Sequence, residues 1–410
     1  MTESADAVVV GGGIMGAAAA LHLRERGLDV LLLERDEVAQ GTSTAGAGFI
    51  DLWGAGYVPS WDGEELEIEQ YGLDFYALLA EGDYDLGYRR NGTLFLATNE
   101  EAWSTHLEAL ASHERVRDQQ ILSASEVEEL TGIVRGDAIL GGVLHPSGGQ
   151  VSAPKATSAM VQRLLALGGR AQTRRPATRL LQQGDRITGV DTPSGSIETP
   201  VVVLACGAWT NKLMAGIGLW LPMVPLLASR IITEFLGVPT TMPTIQIPEF
   251  SYLWLRGADG ALLWGCDYEV FPHTMLVDAD VPERLDQLPL DGVLYTQQVG
   301  AQASAVIPLL LRYRSITVAH GAPCFTPDRR GLVGSIPETV GLYVIAGCNE
   351  AGVSHAPGWG RLTAELVTQG SGGLTEGSSF VPSRFDGAYK SERDVLDALM
   401  DKGGELHGVS

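Results

Sequence analysis

Residues 5–16 read Ala-Asp-Ala-Val-Val-Val-Gly-Gly-Gly-Ile-Met-Gly, and this stretch decides the fold. The apolar run predicts a buried strand, the glycines predict a tight turn, and the alanine-rich residues up to Arg26 predict a helix. A second apolar strand over 29–33 ends on Glu34. Strand, G-x-G-x-x-G loop, helix, strand and terminal acid, in this order, form a dinucleotide-binding fingerprint.

Each glycine of the fingerprint has a physical role. Gly11 permits the tight turn, Gly13 lets the backbone approach a pyrophosphate, and Gly16 lets helix and strand pack closely. The helix that follows begins at Ile14 and Met15, and its free N–H groups and positive dipole end favour phosphate. These residues are the first predicted cofactor-binding residues.

Further cofactor-binding residues are predicted around the end of the second strand. The Glu34 carboxylate is placed to accept hydrogen bonds from ribose hydroxyls, and a terminal acid favours FAD or NAD over NADP. We expect Thr42 and Ser43 to bind the pyrophosphate or the sugar-like chain of the cofactor. Arg35 and Ala177 are assigned to the same site.

Composition narrows the class of protein. The 410 residues predict two or three domains, and 45% hydrophobic with 19% charged residues is typical of a soluble globular protein. A formal net charge of −22 argues against a nucleic-acid partner and an anionic membrane surface. Four scattered cysteines predict reduced thiols, with no metal site and no disulfide framework. With no secretory signal and no apolar run long enough to cross a bilayer, a cytoplasmic location is expected.

Periodicity along the chain predicts the remaining elements. Helices are predicted over 64–81, 100–111, 124–130, 153–167, 292–305, 359–368 and 392–400. Unbroken apolar runs at 201–205 and 342–346 predict buried strands that return to the first sheet. The nucleotide-binding domain is therefore predicted to be discontinuous, at 1–85, 148–218 and 320–390. The substrate domain is then 86–147 and 219–319, and 391–410 is a polar C-terminal tail whose helix is expected to be solvated.

Four segments, in this order and spacing, resemble the FAD-dependent amine oxidoreductases of the D-amino-acid oxidase superfamily. They are the fingerprint with GTSTAGAG at 41–48, VLACGAW at 203–209, GAPCFTPD at 321–328, and GCNEAGV at 347–353. The resemblance spans roughly residues 5–370. It implies an α/β fold (α+β overall) of the glutathione-reductase-2/D-amino-acid-oxidase type, in which a Rossmann-like FAD domain carries an inserted antiparallel-sheet substrate domain.

Within the superfamily the motifs are most similar to dimethylglycine and sarcosine dehydrogenases, and to glycine and sarcosine oxidases. The resemblance implies oxidation of a C–N bond in a secondary or tertiary amine or an amino-acid-like substrate. Hydride passes to flavin N5, and the imine is then hydrolysed. The dehydrogenases carry a C-terminal folate-binding region that this sequence lacks, so an N-methyl group is expected to leave as formaldehyde.

The resemblance also implies how the flavin is held. Gly207 and Ala208 end a buried strand beside it, and Gly207 and the following Trp209 are assigned to the cofactor site. Gly347, Asn349, Gly352 and Val353 bring backbone N–H groups to its pyrimidine edge. Relatives that bond FAD covalently use a histidine where this chain has Ala45, or a cysteine where it has Gly321. FAD is therefore predicted to be non-covalent, with Cys324 as a less favoured tether.

Substrate-binding residues are harder to assign. Relatives hold a substrate carboxylate with an arginine or a lysine at positions that are Pro323 and Ser354 here. Either Arg230 or Arg256 replaces them, or the substrate lacks a simple α-carboxylate. The candidate catalytic residues are Tyr252, His273 and His355.

Two alternative functions stay open on sequence. One is a flavin monooxygenase of the aromatic-hydroxylase fold, disfavoured by GCNE at 347–350. The other is a flavoprotein subunit of a multi-subunit complex similar to sarcosine oxidase. The electron acceptor, oxygen or a quinone or carrier, and the oligomeric state are not determined by the sequence.

Overall fold

The computed structural model describes residues 3–52, 63–112, 118–266, 281–385 and 387–401. The α-helices are α1 (Ile14–Glu25), α2 (Glu64–Ala80), α3 (Glu100–Ala102), α4 (Glu108–Ala111), α5 (Ala124–Thr131), α6 (Ala153–Ala166), α7 (Thr210–Ala215), α8 (Asp291–Ala303), α9 (Gly352–Gln369) and α10 (Glu392–Asp401). A π-helical turn, Trp103–Leu107, joins α3 to α4.

The strands follow in chain order. They are β1 (Glu3–Ser4), β2 (Ala7–Val10), β3 (Val30–Leu33), β4 (Phe49–Ile50), β5 (Thr93–Ala97), β6 (Gln120–Ser123), β7 (Gly141–His145), β8 (Gly149–Gln150), β9 (Arg170–Gln172), β10 (Arg179–Gln183), β11 (Arg186–Thr192), β12 (Gly195–Glu198), β13 (Val202–Leu204), β14 (Val224–Pro225), β15 (Ala228–Thr233), β16 (Thr244–Ile247), β17 (Leu253–Ala258), β18 (Ala261–Gly265), β19 (Ile316–Gly321), β20 (Cys324–Phe325), β21 (Leu332–Ser335) and β22 (Leu342–Ala346).

The fingerprint strand β2 lies in the middle of the central sheet. Within the described residues the strand order is β21-β22-β13-β2-β3-β9, parallel except for the β21–β22 pair. β13 pairs with both β2 and β22, so the predicted return of two later strands to this sheet is confirmed. Every residue of β2, β3 and β13 is buried, which is why these strands are unbroken apolar runs.

Helices α1, α6 and α9 pack together on this sheet, and small residues set their spacing. The alanines at 17–20 of α1 are fully buried. A Cβ added to Gly360 of α9 would lie 2.7 Å from the carbonyl carbon of Ala18. The two helix backbones therefore approach more closely than larger side chains would permit.

A smaller sheet covers the edge of this domain. β10, β11 and β12 form an antiparallel meander, and β1 adds to β12 in parallel. The three antiparallel strands are joined by turns at 184–185 and 193–194. The predicted helix over 124–130 is also confirmed, and Ser123 caps it in a capping box with Glu126.

The second half of the molecule is built on a large mixed sheet. Its described strands run in the order β19-β15-β18-β17-β16-β5-β7-β6, with only β16 and β5 parallel among neighbouring pairs. Two separate stretches of sequence contribute: β5–β7 come from the first and β15–β19 from the second. The predicted insertion in two pieces therefore forms one sheet, while the domain boundaries stay predictions.

Helix α9 differs from its prediction. It begins at Gly352, seven residues before the expected start at Trp359, and contains Pro357. A proline interior to a helix cannot donate a hydrogen bond to the carbonyl four residues earlier. Here that carbonyl belongs to Val353, and the Tyr76 hydroxyl donates to it at 2.9 Å. A tertiary contact thus replaces the missing helical bond.

Helix α10 is not a freely solvated tail helix, so that expectation is wrong. Val395, Leu396 and Leu399 are at most 1% exposed and pack on Val224 and Leu226. The apolar residues recur three and four positions apart, which places them on one face of the helix. In the described part of the chain, no helix has the length and apolar character needed to cross a membrane.

Candidate active site

A cavity of about 520 Å³ follows the fingerprint. The predicted cofactor residues in its wall are Gly11, Gly13, Ile14, Met15, Glu34, Arg35, Thr42, Ser43, Ala177, Gly207 and Trp209. They come from four distant parts of the sequence. The fold therefore brings together the residues that the motifs single out.

Two fingerprint glycines are required by close backbone approach. Gly11 has φ of +113°, and a Cβ there would lie 2.3 Å from the carbonyl oxygen of Ala205. A Cβ on Gly16 would lie 1.9 Å from the carbonyl oxygen of Gly11. Neither position can hold a side chain without moving backbone. Gly16 thus acts behind the cavity wall, where α1 meets the loop.

Polar groups at the two sides of the loop are already oriented. The Glu34 carboxylate accepts hydrogen bonds from the N–H groups of Gly12 at 2.6 Å and Asp36 at 2.8 Å. Ser43 Oγ accepts from the N–H of Ile14 at 2.9 Å. An elongated cavity with a helix N-terminus, a glycine loop and an acid at the strand end fits a dinucleotide such as FAD.

Trp209 has a defined contact in the same cavity. The Arg35 guanidinium lies over its indole ring, 4.0 Å from the ring centroid. Both residues line the cavity, so the pair forms part of its wall at the Glu34 side.

A second cavity, of about 90 Å³, adjoins the first. Lining residues common to both are Ile14, Met15, Thr42, Ser43 and Gly207. Of the other predicted flavin contacts, Gly347, Gly352 and Val353 lie in its wall. Its remaining walls carry the aromatic rings of Phe49, Tyr252 and Trp254. The two cavities therefore share part of one wall.

The loop between β22 and α9 has unusual backbone geometry. Gly347, Asn349 and Glu350 have φ values of +63°, +45° and +65°. Left-handed conformations of non-glycine residues cost energy and cluster at functional sites. The conformation directs Glu350 into the wall of the second cavity.

Asn349 holds this loop and lies outside both cavity walls. Its Oδ1 accepts a hydrogen bond from the N–H of Thr326 at 2.9 Å, and its Nδ2 donates to the Gly347 carbonyl at 2.6 Å. Its own N–H donates to the Cys324 carbonyl at 2.9 Å. These bonds are internal to the protein, so Asn349 supports the loop and its side chain does not reach the cavities.

The two candidate arginines have different positions. Arg230 is 5% exposed, lines the second cavity, and pairs with Glu350 at 2.9 Å. Its guanidinium also lies 5.0 Å from the Trp254 ring centroid. Arg256 is outside the walls of the cavities described above and donates to the carbonyls of Ala47 and Gly257. Burial lowers the pKa of Arg256 to about 10.

Among the candidate catalytic residues, too, the structure places one in the wall of the second cavity and another outside it. Tyr252 lines the second cavity and has φ of +46°, so it lies where the sequence predicted, and its role stays a prediction. Its ring meets that of His106 edge to face at 5.9 Å. His273 lies outside the described residues.

His355 does not face the substrate cavity, which corrects the expectation from sequence. It is 1% exposed in α9, stacks on Trp359 with ring centroids 4.8 Å apart, and lies 3.9 Å from Glu69 of α2. Burial lowers its pKa to about 4, so the imidazole is neutral at physiological pH. The early start of α9 turns this side chain into the helix packing.

The cysteines of the site are buried thiols. Cys324 and Cys348 line the second cavity, and Cys206 lines the first. Burial raises the pKa of Cys206 to about 12 and raises the pKa values of Cys324 and Cys348. A protonated thiol is a poor nucleophile, which disfavours Cys324 as a flavin tether.

Sequence reasoning missed three residues of the second cavity. Gln246 is the polar member of the apolar stretch Thr-Ile-Gln-Ile in β16, and it is 2% exposed. Trp254 lies beside it on β17. Glu350 was inside a recognised motif but was treated as a backbone contact only. The sequence signal that could have identified Gln246 is a single glutamine in an otherwise apolar strand.

Comparisons with known proteins agree with a flavin-binding fold and site. Residues 6–366 match the FAD dependent oxidoreductase family, DAO, and the chain belongs to this family. Its cofactor is therefore FAD. The fold class and cofactor predicted from the sequence are confirmed.

Curated relatives of the chain include amine oxidoreductases. It is 30% identical to "4-methylaminobutanoate oxidase (formaldehyde-forming)" of Paenarthrobacter nicotinovorans, over 98% of this chain and 48% of that protein. It is 27% identical to mitochondrial sarcosine dehydrogenase of Homo sapiens, over 90% of this chain and 40% of that protein. The chain thus spans about half the length or less of these relatives.

Solved structures show the same fold at low sequence identity. L-proline dehydrogenase from P. horikoshii superposes with a TM-score of 0.81 at 22% identity, covering 94% of this chain and 99% of that one. Glycine oxidase from Geobacillus kaustophilus gives 0.78 at 23%, covering 93% and 99%. These likenesses establish the architecture.

Proposed function

We propose that this protein oxidises the carbon beside the nitrogen of a secondary or tertiary amine, with N-methyl amino acids as the substrate class. The observation that carries the proposal is the second cavity. It adjoins the fingerprint cavity, has aromatic walls, and holds one acid–base pair, Arg230 and Glu350. The names of the two relatives above, an oxidase that forms formaldehyde and a sarcosine dehydrogenase, support the same chemistry.

The bound FAD would supply a two-electron acceptor for the hydride that leaves the substrate carbon. The protein has to hold the amine close to it and exclude water. The nitrogen must be neutral when hydride departs, so its proton has to pass to a group in the cavity or to solvent. The imine product then takes up water and, for an N-methyl substrate, separates into a demethylated amine and formaldehyde.

We propose that FAD is bound non-covalently by the residues around the first cavity. Ala45 and Gly321 carry no nucleophilic side-chain atom that could bond to the flavin, and Cys324 is a buried thiol of raised pKa. Acid precipitation tests this directly. A yellow supernatant over a colourless pellet is expected, and a yellow pellet would contradict it.

The main experiment is anaerobic reduction of the purified yellow protein. Sarcosine, dimethylglycine, 4-methylaminobutanoate, cyclic imino acids and primary amines are added separately, and flavin absorbance near 450 nm is followed. We expect bleaching by N-methyl amino acids, with formaldehyde formed in equal amount to reduced flavin. Bleaching only by NADPH with an aromatic compound would instead establish the hydroxylase alternative.

The electron acceptor and location are separate proposals. Reoxidation of the reduced protein by air or by a soluble quinone distinguishes an oxidase from a dehydrogenase. The described cysteines are free thiols, which supports a reducing cytoplasm.

A further inference from the structure

Side chains from neighbouring strands of the large sheet form one row beneath the second cavity. Gln246 on β16 is paired with Trp254 on β17, and Trp254 is paired with Gly265 on β18. Ile231 of β15 pairs with Trp264, so the next position of the register places Arg230 opposite Gly265. Gln246, Trp254 and Arg230 all line the cavity.

Gly265 lets the Arg230 side chain run along this row. A Cβ at residue 265 would lie 2.9 Å from Cδ of Arg230 and 2.9 Å from Cζ2 of Trp254. The guanidinium therefore passes over the glycine and reaches the Trp254 ring, 5.0 Å from the centroid. It meets Glu350 there, which comes from the cofactor domain.

Gln246 is the polar group at the other end of the row. Its side chain is 2% exposed, and Nε2 has no hydrogen-bond partner within the described residues. A buried amide N–H without a partner costs free energy, and a bound ligand is one way to satisfy it. An amide nitrogen donates, and the matching group on a ligand is an oxygen.

The separation of the two polar ends sets a length. Neighbouring strands lie about 4.8 Å apart, so three strand steps put Arg230 and Gln246 about 14 Å apart at Cα. The Arg230 side chain spans part of this distance toward Trp254. The Glu350 carboxylate contacts the Arg230 end of the row and the Gln246 amide belongs to the other end, so the two groups are separated along the row.

We propose that Gln246 and Glu350 determine which amine is accepted. Glu350 accepts a hydrogen bond from the substrate ammonium, and Gln246 donates one to a substrate oxygen separated from the nitrogen by more than one carbon. Arg230 neutralises the charge of the Glu350 carboxylate, with which it pairs at 2.9 Å. This deepens the proposed amine oxidation and rests on it for the identity of the substrate.

A ligand series tests the length rule on the FAD-loaded protein. N-methylglycine, N-methyl-β-alanine and 4-methylaminobutanoate differ only in the number of carbons between nitrogen and carboxylate. Binding is measured by calorimetry and reduction by flavin bleaching. Affinity is expected to rise along the series by about tenfold or more, the equivalent of one hydrogen bond to a charged group. Equal affinities, or a preference for N-methylglycine, would overturn the proposal.

Gln246→Leu isolates the oxygen contact. It should remove the length preference and weaken 4-methylaminobutanoate about tenfold, while leaving N-methylbutylamine, which has no oxygen, unchanged. Gln297→Leu is the control, because this glutamine lies outside the cavity and donates to Tyr313 at 3.3 Å. If Gln246→Leu keeps the preference for the longer ligand, another group binds the ligand oxygen and the assignment of Gln246 is wrong.

Glu350→Gln tests the ammonium contact with two probe ligands, whose affinities should change in opposite directions. N-methylbutylamine should bind about tenfold more weakly, and butanoate should bind more tightly because Arg230 loses its counter-charge. Glu249→Gln is the control, a half-buried carboxylate that accepts from Thr98. Parallel changes in both probes would overturn the assignment of Glu350.

The two proposals fail in different ways. If no amine bleaches the wild-type flavin, the proposed oxidation is wrong, and calorimetry with the same ligands still tests Gln246 and Glu350. If amines bleach it but the variants leave probe binding unchanged, the oxidation stands and the specificity proposal is wrong.

Discussion

The first cavity, along the fingerprint, and the second cavity beside it share five lining residues but differ in what else forms their walls. The fingerprint side of the first cavity depends on backbone, namely a glycine loop, a helix N-terminus and hydrogen bonds to Glu34, and residues 177, 207 and 209 also line its wall. The second depends on side chains that four strands and a distant loop bring together. The first therefore depends mainly on backbone geometry, whereas the second depends on the identity of individual side chains such as Arg230 and Glu350.

The largest effect is expected from Gly16→Ala, which tests whether the cofactor side depends on backbone approach. The added methyl group would lie 1.9 Å from the Gly11 carbonyl oxygen, so the loop has to move. We expect loss of FAD, seen as a fall of the 450-to-280 nm absorbance ratio to near zero.

Gly216→Ala is the matched control for that variant. Gly216 has φ of −63°, and its added Cβ would lie 3.3 Å from the Leu213 carbonyl oxygen, outside both cavity walls. Full FAD content in Gly216→Ala and none in Gly16→Ala is the expected pair. A yellow Gly16→Ala protein would show that the loop adapts.

Gly265→Ala is the corresponding substitution on the substrate side, and its effect should be smaller. The methyl group crowds Cδ of Arg230 and the Trp254 ring, both 2.9 Å from the new atom. Overpacking of this kind costs about 1–3 kcal/mol of stability. We expect KM for the amine to rise about tenfold with FAD content unchanged. A parallel loss of FAD would mean that the two cavities are not independent.

A substitution of Glu64 should lower the stability of the protein without changing either cavity. Burial alone would raise its pKa, but hydrogen bonds from Ser379, Thr375 and Gly377 lower it to about 2. The folded-state pKa lies below the unfolded value of 4.5. This stabilisation is therefore complete above pH 4.5 and is lost as the pH falls from 4.5 toward 2.

For Glu64→Gln we accordingly expect about 1–2 kcal/mol less stability at pH 7, after allowance for solvent screening. Urea unfolding at pH 7 and pH 3.5 measures it. The difference from wild type should shrink at the lower pH, and KM should not change. A constant difference at both pH values would show that the carboxylate charge is not responsible.

The smallest effect on catalysis is expected for His355→Gln. The imidazole packs between α2 and α9 and is not part of the substrate wall. We expect kcat/KM within about threefold of wild type, a change of less than about 1 kcal/mol. Tyr252→Phe, in the cavity wall, is the comparison and should change KM more. A large fall in kcat/KM for His355→Gln would reinstate the histidine as a catalytic candidate.

The sequence predictions were accurate where a feature depends on local sequence and failed where it depends on contacts between distant residues. β2, β13 and β22 were recognised because strands buried on both faces are continuous apolar runs. The start of α9 was missed because Pro357 reads as a helix breaker, and the Tyr76 hydroxyl that compensates for it is 277 residues away from Val353. His355 was misplaced for the same reason.

The wall of the second cavity shows most clearly which features the sequence alone could not predict. Arg230 and Arg256 look alike in sequence, each a single arginine in an apolar strand, yet Arg230 lines the cavity and Arg256 binds carbonyls elsewhere. Which one faces the cavity depends on strand register, since a shift of one residue reverses the face. Nothing local in either stretch encodes that register.

Sequence alone was enough for the family, the cofactor and the glycine loop that lines the first cavity, because these follow from glycines and an acid at short, set spacings. Folding was needed to join Gln246, Trp254 and Arg230 in one row and to bring Glu350 against it. The physical reason is the distance along the sequence over which each feature is determined. Backbone geometry is encoded within a few residues, whereas side chains from separate strands meet only after pairing, packing and the strained 347–350 loop have placed them.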